Sequence, residues 1–499
     1  MDYQSAKAVL YDMMKQINYY ENVIMTLSWD MRVNLPVKAT EYRGDTIGFL
    51  TDKQNQLKRD PRLDEAARTV LDSKEADDLT MAMAKLAHDD YVKYMTIPSE
   101  LVSGYAALNL KAEMVWQQAR KTNDYQLFKP YMQQEFEYKR KFAEAMGQGD
   151  DPMSYLMSEW EEGLTVQKMD SLFRELKDFL VPFLRKLQEK GAPGTRENIQ
   201  GHYPIEIQRK LVHDMLEQVG YDFGAGRVDE SAHPYTTANN MNDIRITTRY
   251  FENDFTNACI SSLHETGHAL YRQHLDPRLS GTMIDSSPSM AVDESQSRYL
   301  ENVIGRSKEF WTWMLPRAQE AFPELKKFDI DTFYRYFSAV RPTASRLESD
   351  ELTYNLHIII RYEIEKLLFA GEISYDDVPG LWNDKYEEYL GIRPKNDSEG
   401  VLQDMHWASG YIGYFQCYVM GNFYDGHYYS LMKKDIPDMY DQVARGCFEN
   451  IIKWQTDHVH KYGRLFTPSQ LLKNIDGQEL QAKYYIDYIN EKYSKIYEL

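Results

Sequence analysis

Cysteine is scarce: Cys259, Cys417 and Cys447 are the only three in 499 residues. An odd, widely spaced set excludes a disulfide framework and a cysteine-rich metal site. Positive charge is also in deficit, with 58 Lys and Arg against 77 Asp and Glu and a formal net charge of −19. No basic block interrupts this balance. The cationic face that a nucleic-acid partner requires is therefore missing, and no such partner is expected. Acidic and basic residues interleave along most of the chain, which reads as solvation. No run of about 18 apolar residues occurs, so no membrane span is expected. The opening MDYQSAKAVLYDMMKQ lacks the basic and apolar regions of a secretory signal, which makes the cytoplasm the expected location. Ser/Gly-rich linkers, low-complexity stretches and fixed-period repeats are absent too. The expectation is one large, mostly helical body over residues 1–499.

Aromatic residues are abundant, at 13% with 38 Tyr, and suggest a large, partly wet interior surface such as a cleft. Apolar residues recur at helical spacing. From Met169 to Leu187, the positions Leu172, Leu176, Phe179, Leu180, Phe183 and Leu184 form one stripe. The segments Phe310 to Phe322, Tyr354 to Ala370 and Tyr484 to Ile496 read similarly. Punctuation is short: Gly191–Pro193–Gly194, Gly224–Gly226 and Pro394–Asn396. One segment differs. Asp243 to Tyr250 alternates apolar and polar residues, is rich in β-branched side chains, and predicts a short strand after a turn at Ala238–Asn240. Such a strand serves either as an edge for an extended peptide or as a structural hairpin.

Just beyond it, His264-Glu265-Thr266-Gly267-His268 forms an H-E-x-x-H motif among apolar neighbours. Four residues on a helix bring the two imidazoles to one face, and Glu265 lies where it can take a proton from water activated by an ion. A catalytic zinc needs a third protein ligand and an open position. His274 has the offset of a known third histidine. However, Tyr271 stands where that pattern has a helix-breaking glycine, so His274 is expected to point away. Glu294 and Glu301, on a second predicted helix with Asp293 beside Glu294, are the better candidates. Spacing alone leaves the choice between them open.

Further motifs occur in order along nearly the whole chain. They are Ser28-Trp29-Asp30, Asp243-x-Arg245-x-Thr247, His264-Glu265-x-x-His268 and Glu294-Ser295-Gln296. Then come Arg346-x-x-x-Asp350 running on to His357, Gly400-x-x-Gln403-Asp404-x-His406-Trp407, and Gly413-Tyr414-Phe415. This set resembles the carboxypeptidase Taq family of metallocarboxypeptidases. The resemblance implies a neurolysin-like, nearly all-helical gluzincin fold with a deep substrate groove and a small strand element beside the metal helix. It implies a single metallocarboxypeptidase domain with its catalytic core at about 230–430, in a homodimer. It implies release of C-terminal amino acids from peptides with broad preference, proline excluded. By the same resemblance Glu294 is the third ligand beside His264 and His268, and His406 and Tyr414 are oxyanion donors. Arg245 and Arg346 are candidates to hold the substrate's terminal carboxylate, because guanidinium pairs bidentately with carboxylate. An ion pair of Arg346 with Asp350 is the structural alternative. Zinc is the expected metal, with cobalt or manganese suiting the same ligands.

The chain departs from the family pattern at Asp293, where His is usual, at Ser345 and Ser349, where Ile and Ala are usual, and at Gln416, where Pro is common. Two other functions fit parts of the sequence: a helical endopeptidase with the same metal site but no carboxylate clamp, and a non-catalytic peptide-binding protein.

Overall fold

The computed structural model describes residues 1–192 and 194–499; Pro193, inside the predicted punctuation at 191–194, lies outside the described residues. Helix accounts for 69% of the chain, and a single small sheet accompanies it among the described residues. The chain divides into two compact units. One comprises Met1–Met95, Glu197–Tyr334 and Tyr428–Glu479, and the other Thr96–Arg196, Arg335–His427 and Leu480–Leu499.

The first unit opens with the helix Tyr3–Val33. Asp2 caps it by accepting the Ser5 N–H, and Ala6, Leu10, Met13, Met14 and Ile17 form its buried stripe. The sheet follows, with strands β1 (Gly226–Glu230), β2 (Thr236–Asn240) and β3 (Asp243–Thr248) in the order β1-β3-β2. β3 is parallel to β1 and antiparallel to β2. It is the strand read from the alternating segment, and its Ile244 and Ile246 are fully buried. β2 was not read as a strand, because Thr236-Thr237-Ala238-Asn239-Asn240 carries turn-forming residues. Pairing with β3 overrides that preference. The reversal comes two residues later, at Met241 and Asn242, where Asn240 Oδ1 accepts the Asn242 N–H at 2.9 Å.

The sheet packs on the motif helix Phe255–Gln273, which Asp254 caps and which is buried on almost every side. The helix Met290–Arg298, capped by Ser289, crosses it and runs on into a π-helical turn at Tyr299–Gly305. The two helices touch backbone to backbone at Gly267. A Cβ there would lie 2.2 Å from the Gln296 carbonyl oxygen and 2.5 Å from the Ser297 Cα. This explains why glycine stands at the fourth position of H-E-x-x-H in this chain.

The second unit is built on the helix Glu351–Ala370, against which Val166–Lys190 and Val378–Leu390 pack. Asp350 caps it through the Leu352 and Thr353 N–H groups, and Gly371 closes it with φ +70°. Ile358, Ile359 and Ile360 are all fully buried, so the helix is covered all round. The helical segments expected at 169–187, 354–370 and 484–496 fall within observed helices of this unit, and the one expected at 310–322 matches Lys308–Ala321 in the first.

Gly267→Ala should push the motif helix off its neighbour. The expected cost is about 1–3 kcal/mol in denaturant unfolding, with bound metal lost in proportion. An unchanged midpoint and metal content would contradict the close approach.

Candidate metal centre

His264 and His268, one turn apart on the motif helix, turn their Nε2 atoms toward Glu294 on the crossing helix. One donor atom from each of the three lies within 4.8 Å of the others. Glu294 Oε2 is 4.0 Å from His264 Nε2 and 3.7 Å from His268 Nε2. The far side of each ring is fixed. His264 Nδ1 donates to Glu301 Oε2 at 2.9 Å, and His268 Nδ1 to Asp293 Oδ1 at 3.3 Å. With a proton held on Nδ1 of each ring, both Nε2 atoms face the point of convergence and are the atoms left to bind a metal once any second proton is lost. Glu294 Oε1 is taken by Arg298 Nε at 2.8 Å, leaving Oε2 for the same point. Two neutral imidazoles and one carboxylate fit a divalent transition ion. The two acidic candidates thus occupy different places: Glu294 faces the convergence, and Glu301 backs His264. His274 points elsewhere, its Nδ1 2.8 Å from the Leu270 carbonyl oxygen, as expected.

Cations hold the backing carboxylates in turn. Arg272 donates to Asp293 at 2.7 Å and Arg306 to Glu301 at 3.0 Å. Burial raises both acids, but Arg272 and His268 hold Asp293 down to about 2. Arg298, His264 and Arg306 hold Glu301 far below the usual carboxylate range. Burial pulls the His268 imidazole down, yet the Asp293 hydrogen bond and the charges of Asp293, Glu265 and Glu294 lift it to about 9. Glu265, 6% exposed, accepts the Thr236 hydroxyl at Oε2 at 2.6 Å. Strand β2 therefore orients Glu265. Neither Thr236 nor Arg272 stands out in the sequence, because neither belongs to a spaced pattern.

Arg245, on β3, is paired bidentately with Asp243 at 2.7 and 2.8 Å and lies 4.4 Å from the centre of the Trp29 ring. That contact gives Trp29 of the Ser28-Trp29-Asp30 motif its place, while Asp30 pairs with Arg43. In the second unit, Arg346 is 7% exposed and binds Asp404 Oδ1 through Nε and a terminal nitrogen at 3.2 and 3.0 Å, and the Tyr354 hydroxyl at 2.9 Å. Its partner is therefore Asp404 rather than Asp350, which instead caps the helix. Arg361 donates to the other Asp404 oxygen at 2.7 Å, so one carboxylate serves two guanidinium groups. His406 is half-buried. Its ring packs 4.4 Å from Phe415, and its Nε2 lies 3.2 Å from the Tyr418 hydroxyl. Tyr414, also half-buried, meets Trp160 edge-on at 4.9 Å. Arg361 and Glu365 escaped the sequence reading. Their signal was available: an i, i+4 charged pair beside the apolar run Ile358-Ile359-Ile360 and Ile364.

A largely helical protein that sets H-E-x-x-H on one helix and brings a glutamate to it from the next has the build of a metallopeptidase. Comparison with known proteins narrows the class. The profile of the carboxypeptidase Taq (M32) metallopeptidase family matches residues 9–493. The chain is 39% identical to carboxypeptidase 1 of Bacillus subtilis, over 100% of both chains. It is 34% identical to thermostable carboxypeptidase 1 of Thermus thermophilus, over 99% of both. The solved M32 carboxypeptidase of Deinococcus radiodurans matches with a TM-score of 0.96 at 32% identity, covering 99% of this chain and 100% of that one. The carboxypeptidase structure from Pyrococcus furiosus gives 0.95 at 33%, covering 98% and 99%. The chain belongs to the carboxypeptidase Taq family, and it is a metallocarboxypeptidase. Among the described residues no helix is long and apolar enough to cross a membrane.

Two outcomes follow from the carboxylates behind the rings. Because His268 titrates at about 9, metal uptake near neutral pH should displace its proton, so affinity falls as pH falls. Calorimetry in buffers of different ionisation enthalpy reads this directly, and uptake without proton release would contradict it. Asp293→Asn should weaken metal affinity by about 10- to 100-fold, measured by competition with a chromophoric chelator. Wild-type affinity in that variant would mean that Asp293 does not orient His268.

Proposed function

We propose that this chain releases amino acids one at a time from the free C-termini of peptides, with broad side-chain preference and with proline excluded, using zinc held by His264, His268 and Glu294. The observation that carries the reading is the convergence of two Nε2 atoms and one carboxylate oxygen beside Glu265, whose own carboxylate is oriented by Thr236. When bound, zinc supplies Lewis-acid chemistry, acidifying water and polarising the scissile carbonyl. Glu265 acts as the general base. With Oε2 engaged by Thr236, Oε1 takes the proton of the attacking water and later delivers it to the departing amine. His406 and Tyr414 donate hydrogen bonds to the oxyanion of the tetrahedral transition state.

A broad-specificity exopeptidase must recognise what all its substrates share, the terminal carboxylate. Arg346 and Arg245 are proposed to hold it. The Arg346–Asp404–Arg361 group sets two cations against one anion and so keeps one positive charge for an incoming carboxylate. Arg245 sits on the strand that packs against the motif helix and is prevented from swinging by Asp243 and Trp29. A homodimer is part of the same proposal and rests on the family resemblance, and the cytoplasm is the location proposed with it. Sedimentation of the purified protein tests the dimer.

Glu265→Gln should abolish turnover while the metal stays bound, because Glu265 is a base and not a ligand. Near-native turnover in that variant would refute the mechanism. Free-acid peptides should be cleaved and their C-terminal amides spared, while substrates ending in proline should resist. Arg346→Ala should lower kcat/KM on free-acid peptides at least about tenfold, the equivalent of one charge-assisted hydrogen bond. Efficient cleavage of amidated peptides by the unaltered enzyme would favour an endopeptidase. Loss in Arg245→Ala with none in Arg346→Ala would move the clamp to the strand.

A further inference from the structure

The helix Glu351–Ala370 places Tyr354, His357, Arg361 and Glu365 three to four residues apart, on one stripe, and all four are buried. The first three serve the group around Arg346. Tyr354 meets Arg346, Arg361 meets Asp404, and His357 accepts at its carbonyl oxygen from Arg361. Glu365 does something different. It is completely buried, with its Oε1 accepting the Trp407 indole N–H at 2.7 Å and its Oε2 accepting the Gly413 backbone N–H at 3.0 Å. Trp407 follows His406, and Gly413 precedes Tyr414. One carboxylate thus ties both ends of the segment that begins at His406 and finishes at Tyr414.

Trp407, Ala408 and Ile412 pack the segment into the interior, yet the polar groups at its two ends are met by a side chain outside it. Gly410 and Gly413 both adopt left-handed backbone, with φ +72° and +70°, where glycine is free to go elsewhere as well. Its internal backbone bonds are short-range, such as Tyr411 N–H to the His406 carbonyl at 2.8 Å. A second hold comes from the Tyr105 hydroxyl, which donates to the Gly410 carbonyl at 3.3 Å. At Gly413 the approach is close. A Cβ would lie 2.9 Å from Leu156 Cβ, so the N–H of that residue is presented to Glu365 at a fixed point. Burying a carboxylate completely is unfavourable, and glutamine would fill the same volume without charge. What glutamine lacks is a second acceptor: its amide NH2 would confront one of the two N–H donors. Two donors arriving at one buried side chain are satisfied only by the carboxylate.

We infer that Glu365 is a positioning residue for the hydrolytic reaction, holding the Trp407–Gly413 segment so that His406 and Tyr414 are presented together as oxyanion donors. The inference rests on the proposed role of those two residues. It assigns Glu365 no contact with the substrate. Its loss should appear in the transition state and hardly at all in substrate binding or metal content.

The test is Glu365→Gln in the metal-loaded enzyme, at alkaline pH above the value of about 7 to which burial lifts this carboxyl. The expected result is a fall in kcat of about tenfold or more, smaller than the loss for deleting an oxyanion donor outright, with KM changed less than about threefold. Metal stoichiometry should be unchanged. Binding of a phosphonate peptide analogue, which mimics the tetrahedral state, should weaken in parallel with kcat, while binding of the product amino acid should not. If Glu365→Gln does not fold, Trp407→Phe removes one of the two donors and should lower kcat in the same direction with KM unmoved. Equal kcat in the variant that folds, or loss of phosphonate and product binding together, overturns the inference. His406→Phe and Tyr414→Phe separate the two levels. If both leave kcat unchanged, the oxyanion reading fails and takes the Glu365 inference with it. If both reduce kcat while Glu365→Gln does not, only the Glu365 inference fails.

Discussion

Two imidazoles can serve one cation only when each ring is turned so that the same nitrogen faces the same point. In this protein the turning force is a hydrogen bond on the opposite nitrogen, from His264 to Glu301 and from His268 to Asp293. Each of those carboxylates is itself held by an arginine, Arg306 or Arg272. The chain of cation, anion and imidazole fixes the rings before any metal arrives, so little of the binding free energy is lost to ordering them. It also sets a distance requirement. The helix that carries Asp293, Glu294 and Glu301 must lie close against the motif helix, and the contact at Gly267 permits this. The π-helical turn at Tyr299–Gly305 widens the helix where Glu301 reaches back, a distortion of the kind often found beside functional groups.

The second unit applies the same principle with different chemistry. Tyr354, His357, Arg361 and Glu365 are buried polar groups on a helix that also buries Leu352, Leu356, Ile358, Ile359, Ile360 and Ile364. Each finds a partner: Arg346, Tyr386, Asp404, or the pair Trp407 and Gly413. Buried charges of this kind contribute little net stability, and breaking one partner leaves the other stranded at a cost of several kcal/mol. Their consequence is a single allowed arrangement of the chain around Asp404 and His406. Burial and the nearby guanidinium groups of Arg361 and Arg346 keep His357 neutral, its pKa falling well below the usual imidazole value, which suits a side chain used only as a hydrogen-bonding spacer.

Much of this was legible in the sequence because it rests on spacing. Helical stripes, the alternating segment Asp243–Tyr250 and the H-E-x-x-H motif are all periodic, and the structure has each of them, the strand ending two residues early at Thr248. From spacing the glutamates were legible as a pair but not as a choice, since Glu294 and Glu301 lie on nearly the same face of one continuous helix; the family resemblance pointed to Glu294. Only the side-chain geometry separates the one that faces Nε2 from the one that faces Nδ1. Strand β2 was hidden because its stability comes from β3 and not from its own residues. Thr236, Arg272 and Glu365 were hidden for a related reason. Each acts across a contact between elements distant in sequence, and a lone Thr or a buried Glu carries no pattern of its own. The partner of Arg346 was misjudged in the alternative reading because local spacing pointed to Asp350, whereas the fold brings in Asp404 from 58 residues away.

The proposed chemistry requires one cation held by His264, His268 and Glu294 through the atoms that now converge. Anomalous diffraction at the zinc edge, from crystals of the zinc-loaded protein, tests this most directly. One strong peak is expected about 2.0–2.2 Å from both Nε2 atoms and from Glu294 Oε2, with Glu301 and Asp293 still hydrogen-bonded to Nδ1. A peak bound by Glu301 in place of Glu294, or no peak between the two histidines, would contradict it.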